Sequence, residues 1–138
     1  MPSSGSRSEP PRPLFLSLTE VLRIHSDQIE RYGGEPGVHD LGLLQSAIAM
    51  PAAGFGGRFL HADLFEMAAA YLFHIVRNHP FVDGNKRTAV VCALVFLALN
   101  DIEIDATEDE LVEMVLAAAE GRIGKEAAAE FLRAHAQW

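Results

Sequence analysis

The sequence has a single cysteine and no hydrophobic run long enough to cross a bilayer. Cys92 is the one cysteine among 138 residues, so no disulfide or cysteine-based metal cluster can form within the chain. It lies in the apolar run of residues 89–99, where a thiol is usually an inert part of the core, and a reducing cytoplasm suits such a chain. That run is too short to span a membrane, and no basic region followed by a long apolar stretch opens the sequence. We therefore expect a cytoplasmic, unexported protein with no membrane partner.

Positive charge is also scarce. Eleven Lys and Arg residues stand against 19 Asp and Glu residues, which gives a formal net charge of -8. Proteins that bind nucleic acid usually carry a basic face that neutralises phosphates, so we expect no nucleic-acid partner. Seven acids and no bases lie in residues 101–113. This stretch is typical of a solvated face, or of a surface that selects a basic partner.

The remaining composition is that of one globular domain. Hydrophobic residues make up 49% of the chain, and its length suits a single core. Residues 1–13 contain four Pro and four Ser and almost nothing apolar, so they cannot offset the entropy lost on ordering. We expect a flexible tail over residues 1–13 and one domain over residues 14–138.

Helical patterns follow the tail. The first is an apolar stripe in residues 18–32, opened by the capping pair Ser17 and Glu20 and ended by Gly33 and Gly34. The other predicted helices run from Asp40 to Met50, Asp63 to Asn78, Asn85 to Asn100, Thr107 to Glu120 and Lys125 to His135. The sequence therefore predicts about six helices.

The fourth helix is expected to lie at the centre of the domain. Residues 89–99 are apolar on every side, which is typical of a helix that its neighbours bury. Residues 102–104 suggest a brief extended segment, but no strand pattern is long enough to build a sheet. The sequence thus predicts an all-α fold of about six helices around a buried central helix.

Residues 51–61 form the least regular part of the domain. Three glycines and two phenylalanines lie in this stretch. A mobile flap with aromatic anchors and a plain connector both fit the pattern. The sequence leaves these alternatives open.

The connection between the third and fourth helices has an unusual density of functional side chains. It carries His79, Asp83, Asn85, Lys86 and Arg87. A helix N-terminus presents unpaired amides and a positive dipole end, so the amides of Gly84, Asn85 and Lys86 are expected to form an anion-binding cradle. Gly84 lets the backbone approach a phosphate closely because it has no side chain. The Asn85 side chain could instead cap the helix.

Each side chain of this connection suits one step of phosphate chemistry. His79 carries the one imidazole of this connection, and histidine is the side chain best suited to act as a general base on a hydroxyl. Asp83 is the natural ligand for a magnesium ion (Mg²⁺) that phosphates carry in, although it could also cap the helix. Lys86 and Arg87 offset phosphate charge. Phe81 is expected to be structural, with its ring inserted into the core as an anchor of the loop.

These nine residues, 79–87, resemble the signature of the Fic family, His-x-Phe-x-Asp/Glu-Gly-Asn-Gly-Arg. Lys86 stands where most Fic proteins have the second Gly of the signature, as in the death-on-curing (Doc) branch of the family. The similarity covers residues 14–134, including the segments 21–25, 32–34, 40–44 and 88–100. It leaves out the tail.

The resemblance implies a helical fold and an ATP-dependent transferase. Fic proteins commonly transfer AMP from ATP to a protein hydroxyl. The Doc branch is similar in fold but acts as a protein kinase on elongation factor Tu and arrests translation. By this resemblance the chain is expected to be a toxin, with ATP as substrate and Mg²⁺ as cofactor.

The resemblance also implies a role for each residue of the motif. His79 deprotonates the target threonine, and Asp83 holds the metal. Asn85 and the amides of residues 84–86 bind phosphates, while Arg87 binds a more distal phosphate.

Two positions of the motif favour different reactions. Doc itself has Ala at the position of Gly84, so this motif is Fic-like at Gly84 and Doc-like at Lys86. A lysine at this position is associated with a reversed ATP, whose γ-phosphate meets the acceptor. We favour the kinase because the Lys86 side chain shapes the pocket more than a methyl at position 84. AMP transfer and a catalytically silent binding module remain as alternatives.

The resemblance also points to a partner. Self-inhibited Fic proteins carry a helix that reads Ser/Thr-x-x-x-Glu-Gly/Asn, and the nearest stretches here, residues 26–31 and 116–121, do not match it. A separate antitoxin of the Phd kind, which orders on contact in a groove, is therefore the expected partner. His25 lies on the apolar stripe of the first helix, and we interpret it as a core histidine.

Overall fold

The computed structural model describes residues 12–137. The predicted tail, residues 1–13, therefore falls almost wholly outside the described residues. Within residues 12–137, no helix is both long and apolar enough to cross a membrane.

Six α-helices form the described part of the chain, as the sequence predicts. They are α1 (Leu18–Tyr32), α2 (Leu41–Ala49), α3 (Leu64–Asn78), α4 (Asn85–Leu99), α5 (Glu108–Ala119) and α6 (Lys125–Ala134). A 3-10 turn, Met50–Ala52, follows α2. Two short antiparallel pairs accompany the helices: β1 (Gly54–Phe55) with β2 (Arg58–Phe59), and β3 (Glu103–Ile104) with β4 (Ala136–Gln137). The brief extended segment is confirmed, and its partner β4 was not predicted.

Local side-chain caps explain where four of the six helices begin. Complete capping boxes open α1 at Ser17 and α5 at Thr107. Asp40 and Asp63 each accept a hydrogen bond from the amide three residues ahead. The predicted capping box of Asp63 and Glu66 is only half formed. The Glu66 carboxylate accepts a hydrogen bond from the Ala62 amide instead of the Asp63 amide.

The buried centre is a pair of helices. α3 and α4 are joined by a short loop and pack against each other along their length, with the Tyr71 and Phe96 rings 5.3 Å apart. α4 is buried towards α3 as expected, while Val91 and Val95 on its other side are only partly covered. α3 also contacts α2 and α6 and carries nine buried residues. Cys92 is buried, and burial raises the pKa of its thiol to about 12, as an inert core thiol requires.

The hairpin β1–β2 lies at the far end of this helix pair from the connection between α3 and α4. Phe59 packs edge-on against Phe15, and Phe15 stacks on Phe96, each at 5.7 Å between ring centroids. Phe96 is eleven residues along α4 from Asn85, or roughly 16 Å at 1.5 Å per residue. Phe55 is 93% exposed, so it anchors nothing within the described chain. This position favours the connector over a flap above the motif.

Candidate active site

The loop between α3 and α4, residues 79–84, is called the motif loop. It starts at His79, whose backbone is left-handed (φ 50°, ψ 54°) and ends α3 by donating its amide to the Ile75 carbonyl at 3.0 Å. The amides of His39 and Asp40 both donate to the Pro80 carbonyl, at 2.7 and 3.1 Å. The Val82 amide donates to the Gly37 carbonyl at 3.1 Å. Residues 37–40 therefore hold the backbone of the motif loop in place.

Asn85 and Phe81 brace the loop from inside. The Phe81 amide donates to Asn85 Oδ1 at 2.9 Å, and Asn85 Nδ2 donates to the Phe81 carbonyl at 2.9 Å. Phe81 is fully buried, as an anchor of the loop requires, and Asn85 is 5% exposed. Both polar groups of the Asn85 side chain thus bind the backbone of the loop, so its predicted phosphate role stays a prediction for its backbone amide.

His25 reaches the same loop from α1. Its ring stacks on the Phe81 ring with centroids 3.8 Å apart and an interplanar angle of 5°. Its Nε2–H donates to the Asp83 carbonyl oxygen at 2.8 Å. This histidine is 4% exposed, so it is a core residue as interpreted, but its polar atom is bound to the motif loop.

Asp83 presents an exposed, ionised carboxylate. Its Oδ1 accepts from the Gly84 amide at 2.8 Å, and its Oδ2 accepts from the Glu35 amide at 3.2 Å. These two hydrogen bonds, the Gly84 bond first, hold the pKa of the Asp83 carboxyl below its ordinary value. Gly34 makes room for this arrangement, because a Cβ there would lie 2.9 Å from Asp83 Oδ2.

The start of α4 presents the free backbone amides of the site. Gly84 has φ 74° and is the N-cap, so the amides of Asn85, Lys86 and Arg87 are the first three of the helix. Amides in these positions have no acceptor within a helix and attract phosphate. The Gly84 amide itself is not free for a phosphate in this structure, since it binds Asp83.

One cavity of about 240 Å³ joins the predicted site residues. Its lining consists of His79, Val82, Asp83, Gly84, Asn85, Lys86 and Arg87. The structure thus brings together every polar residue that the sequence singled out. Sequence reasoning missed Glu35 and Gly37 and gave Gly34 only the role of ending α1, because no local pattern shows that the end of α1 meets the motif loop.

Lys86 and Arg87 face two directions. Arg87 Nη2 donates to the Gly33 carbonyl at 2.9 Å, and its guanidinium lies 5.4 Å from the centre of the Tyr32 ring. Lys86 is exposed and borders both the cavity and a neighbouring groove. Each side chain keeps free N–H donors for an anion.

The neighbouring groove, called the α4 groove, has a volume of about 390 Å³ and runs between α1, α4 and α5. Its polar lining consists of Lys86 and Arg87 at the start of α4 together with Gln28, Tyr32 and Glu108. The rest of its lining is apolar: Val90, Val91, Leu94, Leu111, Val112, Val115 and Leu116.

The residues present fit a metal ion that is carried by phosphates rather than held by the protein alone. Among the described residues, no group of three or more His, Cys, Asp or Glu side chains could hold a metal. Mg²⁺ in nucleotide sites is commonly bound by one or two carboxylates and by the substrate's own phosphates. Asp83, ionised and next to the amides of α4, can supply one such carboxylate.

Comparison with known proteins places these features in a family. The family model described as "Fic/DOC family" matches residues 15–97. The protein named "Protein kinase doc" from Escherichia phage P1 is 37% identical over 118 residues, which covers 86% of this chain and 92% of that protein. "Toxin Doc" from Mycolicibacterium smegmatis is 43% identical over 89 residues, covering 60% of this chain and 68% of that protein. The chain therefore belongs to the Fic/Doc family.

Proposed function

We propose that this protein is the toxin of a toxin–antitoxin pair and transfers the γ-phosphate of ATP to a threonine of a target protein. Elongation factor Tu is the proposed target, and arrest of translation is the consequence. The cavity at the start of α4 carries the proposal, because it combines one histidine, one ionised carboxylate and two cations with free helix amides. The names of the two relatives, a protein kinase and a toxin, support the same function.

Phosphate binding falls to the N-terminus of α4. The amides of Asn85, Lys86 and Arg87 receive phosphate oxygens, and the Lys86 and Arg87 side chains add positive charge. Asp83 would hold the Mg²⁺ that accompanies the nucleotide, and that ion would neutralise phosphate charge. Its carboxylate is already turned and ionised by the Gly84 and Glu35 amides, so little reorganisation is required.

Proton transfer falls to His79. Its side chain lines the cavity, and its backbone is fixed by the left-handed end of α3. The threonine hydroxyl oxygen attacks the γ-phosphorus while His79 accepts the hydroxyl proton. The bond from the γ-phosphorus to the bridging oxygen breaks, and ADP leaves.

Lys86 is the reason to prefer γ-phosphate transfer over AMP transfer. Its side chain occupies the position that is Gly in most Fic proteins, and it lies at the mouth shared by the cavity and the α4 groove. A long cation at this place restricts how a nucleotide can lie along the start of α4. Gly84, in contrast, matches the AMP-transferring branch, so the reaction itself has to be tested.

ATP labelled on the α- or the γ-phosphate separates these reactions. The wild-type protein and His79→Ala are incubated with bacterial lysate and with purified elongation factor Tu. Label from the γ position on a threonine, absent with His79→Ala, is the expected result. Label from the α position alone would show AMP transfer. No label from either position, together with equal growth of cells expressing the two proteins, would identify a silent binding module.

The α4 groove is the proposed docking site of the antitoxin. Its apolar lining suits an amphipathic segment that folds on contact, and the positive charge of Lys86 and Arg87 suits acidic residues at one end of that segment. Val112 lies in this groove and is 47% exposed. Val112→Asp should abolish rescue of growth by a small neighbouring open reading frame of the Phd kind. The matched control is Leu60→Asp, since Leu60 is exposed outside the α4 groove and should leave rescue intact.

A further inference from the structure

His25 combines three features that packing alone does not require. It is 4% exposed, its ring lies flat on the Phe81 ring at 3.8 Å, and its Nε2–H donates to the Asp83 carbonyl at 2.8 Å. An aromatic or aliphatic residue could fill the same space on the stripe of α1. Only a side chain with a donor at that point can bind the carbonyl.

The carbonyl that His25 binds belongs to the peptide between Asp83 and Gly84. In a planar trans peptide the C=O and N–H groups point in opposite directions. Because His25 draws the Asp83 carbonyl inwards, the Gly84 N–H points outwards, where it binds Asp83 Oδ1 at 2.8 Å. The direction of this peptide therefore decides whether the Gly84 amide holds one oxygen of the Asp83 carboxylate, whose other oxygen binds the Glu35 amide.

This peptide is also easily turned over. Gly84 has φ 74°, and glycine adopts positive and negative φ about equally well. A reversed peptide would release the carboxylate from the Gly84 amide and would turn the Asp83 carbonyl oxygen towards the cavity. That oxygen carries partial negative charge and would repel a phosphate at the start of α4. Within the described residues, the His25 bond is the contact that holds this carbonyl inwards.

We propose that His25 is a positioning residue for the phosphoryl-transfer site, which locks the Asp83–Gly84 peptide so that the Asp83 carboxylate faces the cavity. The effect of His25 on catalysis rests on the proposed function. The peptide direction is a property of the free protein, so it is tested separately from activity.

Two variants separate the ring stacking from the hydrogen bond. His25→Phe keeps a flat ring against Phe81 and removes the donor. His25→Gln removes the ring and keeps an N–H donor near the position of Nε2. The matched control is His135→Phe, because His135 also lies against a phenylalanine ring, Phe131 at 4.2 Å, and binds the Phe131 carbonyl at 2.8 Å, outside the cavity.

The first measurement is amide hydrogen exchange and the ¹⁵N–¹H chemical shift of Gly84 in the protein without nucleotide. We expect His25→Phe to lose the protection and the carboxylate-bonded shift of this amide, and His25→Gln to retain both at least in part. His135→Phe should leave the Gly84 signal unchanged. Thermal melting of each variant shows whether the fold is kept. If folded His25→Phe keeps the wild-type Gly84 signal, the proposal is wrong.

The second measurement is ADP binding by calorimetry with Mg²⁺ present, and the steady-state rate with ATP. Loss of a hydrogen-bonding partner that orients a metal-binding group typically costs about 10- to 100-fold in affinity or activity. We expect kcat/KM and ADP affinity to be lower by this factor in His25→Phe than in wild type. In His25→Gln both should be at least partly restored. If wild type binds no nucleotide, the proposed function is wrong. The Gly84 signal would still show whether His25 sets the direction of the Asp83–Gly84 peptide. Equal binding and rates in wild type and His25→Phe would overturn the positioning role.

Discussion

Stability should fall steeply between pH 6.5 and pH 4 because of a half-buried cation between two histidines. Lys125 Nζ, at the start of α6, donates to His61 Nε2 at 3.1 Å and to His74 Nε2 at 2.9 Å. An ammonium can only donate, so both ring nitrogens must be unprotonated acceptors. Protonation of His74 would place its imidazolium 2.9 Å from the Lys125 ammonium, and the two positive charges would repel each other. Arg77 also opposes that proton, and Glu66 is the carboxylate that stabilises the Lys125 charge.

The size of this loss of stability follows from the pKa shift of His74. Burial, and then the charges of Lys125, His61 and Arg77, lower its pKa from 6.5 to about 4. A histidine whose pKa is depressed by folding takes up its proton first in the unfolded chain, so stability is lost as pH falls below 6.5 and the loss is complete near pH 4. A shift of this size corresponds to roughly 2–3 kcal/mol between pH 7.5 and pH 4.5. For a domain of 138 residues that is about 7–10 °C in Tm.

The assay compares urea denaturation of wild type and His74→Gln at pH 7.5 and at pH 4.5. Gln keeps an oxygen acceptor for Lys125 and does not titrate, so the variant should lose roughly 2–3 kcal/mol less than wild type between these values. His61, whose pKa is also lowered by burial and by Lys125, remains in both proteins, so most of its contribution is common to the two measurements. Equal losses in the two proteins would refute the assignment of the pH dependence to His74.

Three further predictions concern the motif loop and the hairpin. Asn85→Ala leaves the buried amide and carbonyl of Phe81 without partners, so urea denaturation should show a loss of about 2–4 kcal/mol. Gly34→Ala should reduce nucleotide binding by calorimetry more than Gly33→Ala, because both positions have positive φ but only a Cβ at Gly34 meets Asp83; equal effects would show that backbone strain alone is responsible. Phe55→Ser at the exposed hairpin should leave Tm and transfer rate within error, and a large loss of rate would revive the flap.

The helices could be predicted from sequence because their signals are local. Ser17 and Thr107 cap helices through residues only three positions away, and the apolar stripes repeat within each helix. The motif was predictable for the same reason, since its residues lie between two helices in one stretch of nine. The pairing of β3 with β4 was not predictable, because its strands have two residues each and meet across more than thirty positions.

Which residues of the motif are structural and which face the cavity could not be predicted from the residue types. Asn85 and Asp83 are both polar and two positions apart, yet one is 5% exposed and bound to Phe81 while the other is exposed and faces the cavity. That difference depends on where residues 37–40 and α1 approach the loop, which no short sequence spacing shows.

His25 shows the same limit of sequence-based prediction for a buried residue. Its place on an apolar stripe predicts burial, and burial is correct. A buried histidine, however, must find a partner for its N–H, and here the partner is the peptide that turns Asp83 outwards. The useful question for a core histidine in this fold is therefore which carbonyl it binds.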